Sequence, residues 1–285
     1  MASTIQKITP FLWFDTQAEE AVNFYTAIFE NAKVGEITRY DEASAQAAGR
    51  PAGSAMTISF QLEGQEFVAL NGGPVFKFTP AISFFATCKT EDEVQALWNK
   101  LSEGGTVRMP LGEYPFSKKY GWIEDKFGLN WQAILAEGEI EQKIIPSLLF
   151  VGDVCGKAEE AIDFYTSIFD KSKVVSTSPY GTGQEPEKEG TLAYADFKLE
   201  GQLFAAMDSA REHNFRFNEA ISFVVNCNTQ EDVDYFWRKL SAVPEAEQCG
   251  WLKDKYGVSW QVVPTVLGEL LSDPDPAKAQ KLPQR

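Results

Sequence analysis

The stretch AEEAVNFYTAIF at Ala18–Phe29 is written again as AEEAIDFYTSIF at Ala158–Phe169. It is not the only echo. FQLEGQEF (Phe60–Phe67) returns as FKLEGQLF (Phe197–Phe204), and FKFTPAISFF (Phe76–Phe85) as FRFNEAISFV (Phe215–Val224). DKFGLNWQ (Asp125–Gln132) returns as DKYGVSWQ (Asp254–Gln261). The order is conserved within the chain and the spacing nearly so. Phe60 to Phe197 is a shift of 197 − 60 = 137, whereas Trp122 to Trp251 is 251 − 122 = 129, so the second copy is shorter before its last motif. Two long copies in 285 residues predict two homologous domains, at about 1–137 and 140–271, rather than a solenoid. The polar stretch AEGEIEQ (Ala136–Gln142) links them, and SDPDPAKAQKLPQR (272–285) reads as a flexible C-terminal tail.

Within the first copy, the apolar run Ile8–Phe14 predicts a buried strand. Thr16 and Glu19 are spaced as a capping box for a helix with Ala18, Ala21, Val22, Tyr25, Ile28 and Phe29 on one face. Strands at Lys33–Tyr40, Ala55–Leu62 and Glu66–Asn71 follow, the last two joined by a tight Glu63-Gly64 turn. The pattern restarts with AISFFATC, a helix over Thr90–Ser102 ended by Gly104-Gly105, and strands at Tyr120–Glu124 and Asn130–Leu135. Each repeat thus reads as two βαβββ units, and the fold class is α+β.

Composition excludes several functions. A formal net charge of −15 argues against binding nucleic acid or anionic membranes, both of which need clustered Lys and Arg. No apolar run approaches the ~18–20 residues of a membrane span. The N-terminus lacks a basic segment followed by an apolar one, so the expected compartment is the cytoplasm. The four cysteines form no CxxC pair, and Cys88 and Cys227 sit in matching apolar strands as small buried hydrophobes. With one histidine, His213 in a polar loop, no Ser-His-Asp or Cys-His set is available.

Paired βαβββ units with AxxFYxxIF on the first helix resemble the vicinal oxygen chelate superfamily, which includes glyoxalase I and the bleomycin-resistance proteins. FYTSIF, KLEGQ, MDS, FNEAISF, CGWLKDKYGVSWQVVP and LGELLSDPDP in the second half resemble its PhnB-like branch, whose members carry the label 3-demethylubiquinone-9 3-methyltransferase. The resemblance implies that each pair of units curls into a half-open cup. In the metal enzymes of the superfamily, His, Glu or Gln side chains on inward strand positions hold a divalent cation there. Placed on this sequence, those positions fall at Pro10 and Pro146, near Ala69 and Ala206, near Ala81 and Ala220, and at Gln132 and Gln261. A slip of one residue at the second and third positions brings in Glu219 or Asn71. Three positions without a ligating atom and one neutral amide make a poor cation site, so no metal and no cofactor is expected.

The candidate ligand-binding residues are therefore Gln132 and Gln261, Trp122 and Trp251 on the preceding strand, and Asp208 at a strand end. Trp131 and Trp260 should face the opposite side of the strand from the glutamines. For the tryptophans the competing reading is core packing, and for Asp208 a solvated turn. Three functions remain open. The first is a metal-independent protein that binds a small organic ligand, working as a monomer with an internal pseudo-dimer or as a homodimer. The second is a metal-dependent lyase, isomerase or dioxygenase of the same fold, using Glu219, Asp208 or His213 in a weak site. The third is the methyltransferase of the family label, against which the sequence offers no glycine-rich loop between a strand and a helix.

Overall fold

Period-two and period-3.6 patterns carry most of the architecture. The structure, a computed structural model, describes residues 6–266; the tail at 272–285 and the stretch Leu267–Pro276 lie outside the described residues. The first unit is β1 (Ile8–Phe14), α1 (Ala18–Ile28), β2 (Ala32–Arg39), α2 (Glu42–Ala48), β3 (Ala55–Leu62) and β4 (Gln65–Asn71). The second is β5 (Ile82–Cys88), α3 (Glu91–Ser102), β6 (Thr106–Tyr114), β7 (Ser117–Glu124) and β8 (Asn130–Leu135). The third is β9 (Ile144–Phe150), α4 (Ala158–Ile168), β10 (Lys173–Pro179), β11 (Leu192–Leu199) and β12 (Gln202–Asp208). The fourth is β13 (Ile221–Cys227), α5 (Gln230–Leu240), β14 (Trp251–Lys253) and β15 (Ser259–Pro264).

Two elements were not read from the sequence. Asp41 caps α2, accepting from Ser44 N, and Gly49 ends it with a φ of 65° that favours glycine. Strand β6 contains Pro110 and Gly112, which break its alternation, and it pairs with β7 through shifted registers at the sheet edge. Among the described residues the fourth unit has no counterpart of β6: the shift between copies falls from 237 − 98 = 139 at Trp98 to 129 at Trp122, a loss of 10 residues, two of which offset a gain earlier in the copy. The expected capping box on α1 does not form. The helix starts at Ala18, whose N–H donates to Asn71 Oδ1 at 2.8 Å, so a side chain from β4 caps it across space.

The sheets do not follow the repeats. Sheet A runs β14-β15-β13-β1-β4-β3-β2, and sheet B runs β10-β11-β12-β9-β5-β8-β7-β6. Antiparallel pairs β1–β13 and β5–β9 join a unit of one repeat to a unit of the other. The expectation that the two units of one repeat share a cup is corrected: each sheet takes one unit from each repeat. The repeats instead build the core, where Phe67 of sheet A meets Phe84 of sheet B at 5.6 Å and Phe204 meets Phe223 at 5.5 Å.

The twice-written DK(F/Y)G phrase is a core anchor. Asp125 Oδ1 accepts from the N–H groups of Phe127 and Leu129 in its turn, at 2.8 and 3.1 Å. Its Oδ2 accepts from Tyr25 OH on α1 at 2.7 Å and Trp131 Nε1 on β8 at 3.0 Å. Asp254 repeats all four bonds with Tyr256, Val258, Tyr165 and Trp260. Each buried carboxylate thus ties a turn, a helix and a strand together. Burial raises the Asp125 carboxyl to about 6, with the hydrogen bonds of Tyr25, Phe127 and Trp131 opposing it, and it raises Asp254 as well. Among the described residues no helix is long and apolar enough to cross a membrane.

Candidate functional site

Opposite the core, each sheet presents a second face. In a flat sheet, side chains three strands apart stand ~14 Å from one another. Phe85 on β5 and Tyr194 on β11 are that far apart in strand order, yet their ring centroids lie 5.9 Å apart. On sheet A, Trp13 of β1 and Trp251 of β14 meet at 6.1 Å across the same number of strands. Both sheets therefore curl toward the face away from the core, as a cup does.

Alternation along each strand fixes what lines these faces. Trp131 and Trp260 are buried in the core as expected, while Gln132 and Gln261 point into the cups. Trp122 and Trp251 are the direct cross-strand partners of the two glutamines and share their face. So four of the five candidates are brought together, in two pairs. Asp208 is not among them. It faces the core side, where Oδ1 accepts from Gly156 and Ala158 N–H and Oδ2 from Leu192 N–H. It caps α4, as Asn71 caps α1, and is neither a solvated turn residue nor part of a cup.

The expected inward row was one residue out of phase at its first two positions, and its third position fell just before β5 and β13. Ala69, Ala81 and Ala206 belong to the core, and Pro10 pairs with the core residue Phe223. The cup positions are Thr9 and Phe11 on β1, Ile145 and Ser147 on β9, and Val68 and Ala205, each next to an expected position, together with Ser83 and Ser222, which stand two residues past Ala81 and Ala220. Because strands have a period of two, a slip of one residue exchanges the faces completely. The chemistry remains unsuited to a cation. Gln132 is 1% exposed, donates Nε2–H to Ser83 Oγ at 2.8 Å and accepts from Tyr120 OH at 2.5 Å. Gln261 donates to Ser222 Oγ at 3.0 Å. Amides and hydroxyls offer a divalent ion no charge, so the donor set does not fit the metal of the superfamily's enzymes. Glu219 is paired with Lys253 at 2.7 Å, and His213 Nε2 lies 3.0 Å from Ser209 Oγ in its loop. Among the described residues no three His, Cys, Asp or Glu side chains gather as a cation site.

The cups differ in what fills them. On sheet A, Phe11 and Trp13 pack edge-on against Trp251 at 5.6 and 6.1 Å, and Trp13 against Phe76 at 5.0 Å. The Trp13 indole N–H donates to Gly73 O at 2.8 Å, and the ring lies over Gly72, where a Cβ would come within 2.3 Å of it. On sheet B, Ser147 and Leu149 stand in place of Phe11 and Trp13, and Ala205 in place of Val68. Phe85, Tyr120 and Ala205 form the centre of a separate apolar cluster, with Met109, Trp122, Ile145, Tyr194 and Met207 around it. Burial raises Tyr120, which keeps its phenol protonated and donating to Gln132. The Oγ of Ser147 is fully buried and has no hydrogen-bond partner among the described residues. Ser259 Oγ on sheet A is in the same condition, but its register neighbours are Ser222 and the ion-paired Lys253.

A cavity of about 380 Å³ opens on the sheet B face between Phe85, Phe116, Ile145, Tyr194 and the linker residues 135–142. A larger one, about 600 Å³, also touches the linker and lies among Glu30, Glu63, Lys89, Glu93 and Lys143. The smaller is the better candidate, because aromatic and aliphatic walls with a few polar groups make a small-molecule site. The larger has no aromatic lining, and its Lys143 is already paired with Glu63 at 3.0 Å. Sequence reading missed Tyr120, Ser83, Ser147, Phe85 and Tyr194. Comparing ITPFLWF with IIPSLLF position by position carries the signal for Ser147.

Paired βαβββ units in two curled sheets define a glyoxalase-like vicinal oxygen chelate fold. The family described as 3-demethylubiquinone-9 3-methyltransferase matches residues 6–134 and again 142–263, and the chain belongs to it, twice over. A 3-demethylubiquinone-9 3-methyltransferase-type PhnB protein from Bacillus cereus is 46% identical over 46% of this chain and 100% of its own, with a TM-score of 0.43. Glyoxalase I from Zea mays is 11% identical over 90% of this chain and 91% of its own, with a TM-score of 0.54. A dioxygenase-like protein from Bacillus subtilis is 11% identical over 89% and 83%, with a TM-score of 0.53. The last two likenesses establish the fold alone. A comparison with curated proteins finds no significant match.

Proposed function

We propose that this chain is a cytosolic, metal-independent protein that binds a small organic molecule in a cup of its glyoxalase-like fold. The observation that carries this reading is the buried Gln132, a neutral amide held by Tyr120 OH and Ser83 Oγ beside aromatic walls. An amide, two serine hydroxyls and a protonated phenol bind by hydrogen bonding, not by Lewis acidity. The cavity on the same face, lined by Phe85, the cross-strand partner of Gln132, lies within the ~300–1,000 Å³ range of ligand pockets. The four cysteines are free thiols, which suits a reducing compartment. The tandem arrangement gives one polypeptide both units of each sheet, so a monomer with an internal pseudo-dimer is sufficient.

The methyltransferase of the family description has weaker support. Among the described residues the sheets contain only isolated parallel pairs, such as β5–β8 and β9–β12, and not the doubly wound parallel sheet of a nucleotide-type cofactor domain. The test is a thermal-shift screen of small aromatic and aliphatic compounds, with S-adenosylmethionine included, on EDTA-treated protein. Saturating organic ligands should stabilise the chain by about 2–3 kcal/mol at a hundredfold excess over Kd, and replacing Trp122 with phenylalanine should weaken them. Stabilisation only by S-adenosylmethionine, or only after metal is restored, would overturn the reading.

A further inference from the structure

Resting on that reading, we propose that only the sheet B cup binds, that it takes one organic cation per chain, and that the linker supplies the charge. Three independent observations converge. First, the two cups have diverged at the same row of the floor. On sheet A the row reads Ser59, Val68, Phe11, Ser222, and on sheet B it reads Asp196, Ala205, Ser147, Ser83. The large residues of the first row are replaced by small or polar ones in the second, and the Trp13–Trp251 contact that fills sheet A has Leu149 in place of one partner.

Second, Ser147 Oγ is a buried hydroxyl with nothing to bond among the described residues. It stands two residues from Ile145, which lines the cavity, and on the same face. Ser147 is itself fully buried and does not line the cavity, so it marks the small, polar floor beneath the site where sheet A has Phe11.

Third, the cavity lining carries one sign of charge. It includes Asp196 and the linker residues Glu137, Glu139 and Glu141, and among the described residues no Lys, Arg or His. Lys198 pairs with Glu141, and Asp196 accepts from Tyr194 OH and Ser176 Oγ, so those two carboxylates are engaged. Glu137 and Glu139 are exposed and line the same cavity as the rings of Phe85, Phe116 and Tyr194. Aromatic faces and carboxylates together favour an organic cation, through its charge and the ring quadrupoles. The segment that joins the repeats is thereby a specificity element of the site as well as a tether.

The test is a fluorescence-anisotropy titration of the full chain in EDTA at physiological ionic strength. The probes are acridine orange, a planar organic cation, and 8-anilinonaphthalene-1-sulfonate, an anion. Acridine orange should bind at one equivalent per chain, quench Trp122 and bind more weakly as salt rises. Ser147→Phe, which imitates Phe11, should abolish binding. The exposed pair Glu137→Gln with Glu139→Gln leaves the core untouched, and should weaken binding about threefold to tenfold and flatten the salt dependence. Two equivalents per chain, or unchanged binding in the glutamine pair, would overturn the proposal. Binding of the anion or of neutral compounds but not of acridine orange would discard the cation while leaving the binding function standing. Failure of every organic compound would remove both.

Discussion

Asp125→Ala should cost the fold about 3–5 kcal/mol, and Asp254→Ala a similar amount. Each carboxylate is nearly or wholly buried and accepts four hydrogen bonds, from a phenol, an indole and two backbone N–H groups. Removing it strands all four donors, and each stranded donor costs about 1–3 kcal/mol before relaxation. It also unties α1 from β8 and from the turn that aims Gln132 into the cup. Asp125→Asn should lie between the wild type and the alanine variant, because an amide nitrogen placed among donors can accept from none of them. Urea unfolding followed by tryptophan fluorescence measures both. A loss under about 1 kcal/mol for either alanine variant would mean that the network is ornamental.

The second large effect concerns the seat of Trp13. A Cβ at Gly72 would come within 2.3 Å of the indole ring, and Trp13 also donates to Gly73 O. Gly72→Ser should therefore destabilise by about 2–3 kcal/mol through overpacking. The second repeat shows how the clash is avoided, since Ser209 occupies the place of Gly72 and Leu149 that of Trp13. In a Trp13→Leu background the serine should cost under about 1 kcal/mol. The coupling energy between the two sites, read from a double-mutant cycle, is then at least about 1–2 kcal/mol. Additive effects would show that the ring moves freely and that the sheet A cup is not sealed by it.

Much of this was legible in the sequence. The repeats, the four units and their fold class follow from echoed phrases and apolar periodicity. So does the opposition of Trp131 and Gln132 across one strand. What escaped has physical reasons. Which unit pairs with which is decided by tertiary contacts between β1 and β13, and no local pattern announces it. The cup row was misplaced by one residue at Pro10 and Ala69, because both faces of these strands are apolar and alternation has little contrast. Asp208 looked like a ligand anchor because a lone carboxylate at a strand end gives no hint of a helix N-terminus meeting it in space. The role of Asp125 was hidden in the same way: its partners Tyr25 and Trp131 lie 100 and 6 residues away.

Metal content, determined by mass spectrometry on untagged and freshly purified protein, bears most directly on the function. Cups built on Gln132 and Gln261, with serine and tyrosine partners, should carry divalent metal far below one ion per chain. The sheet B cup should also keep its organic ligand in the presence of EDTA. One tightly held ion per cup would mean that these amides and hydroxyls serve a metal after all, and that the chain must be assayed as an enzyme.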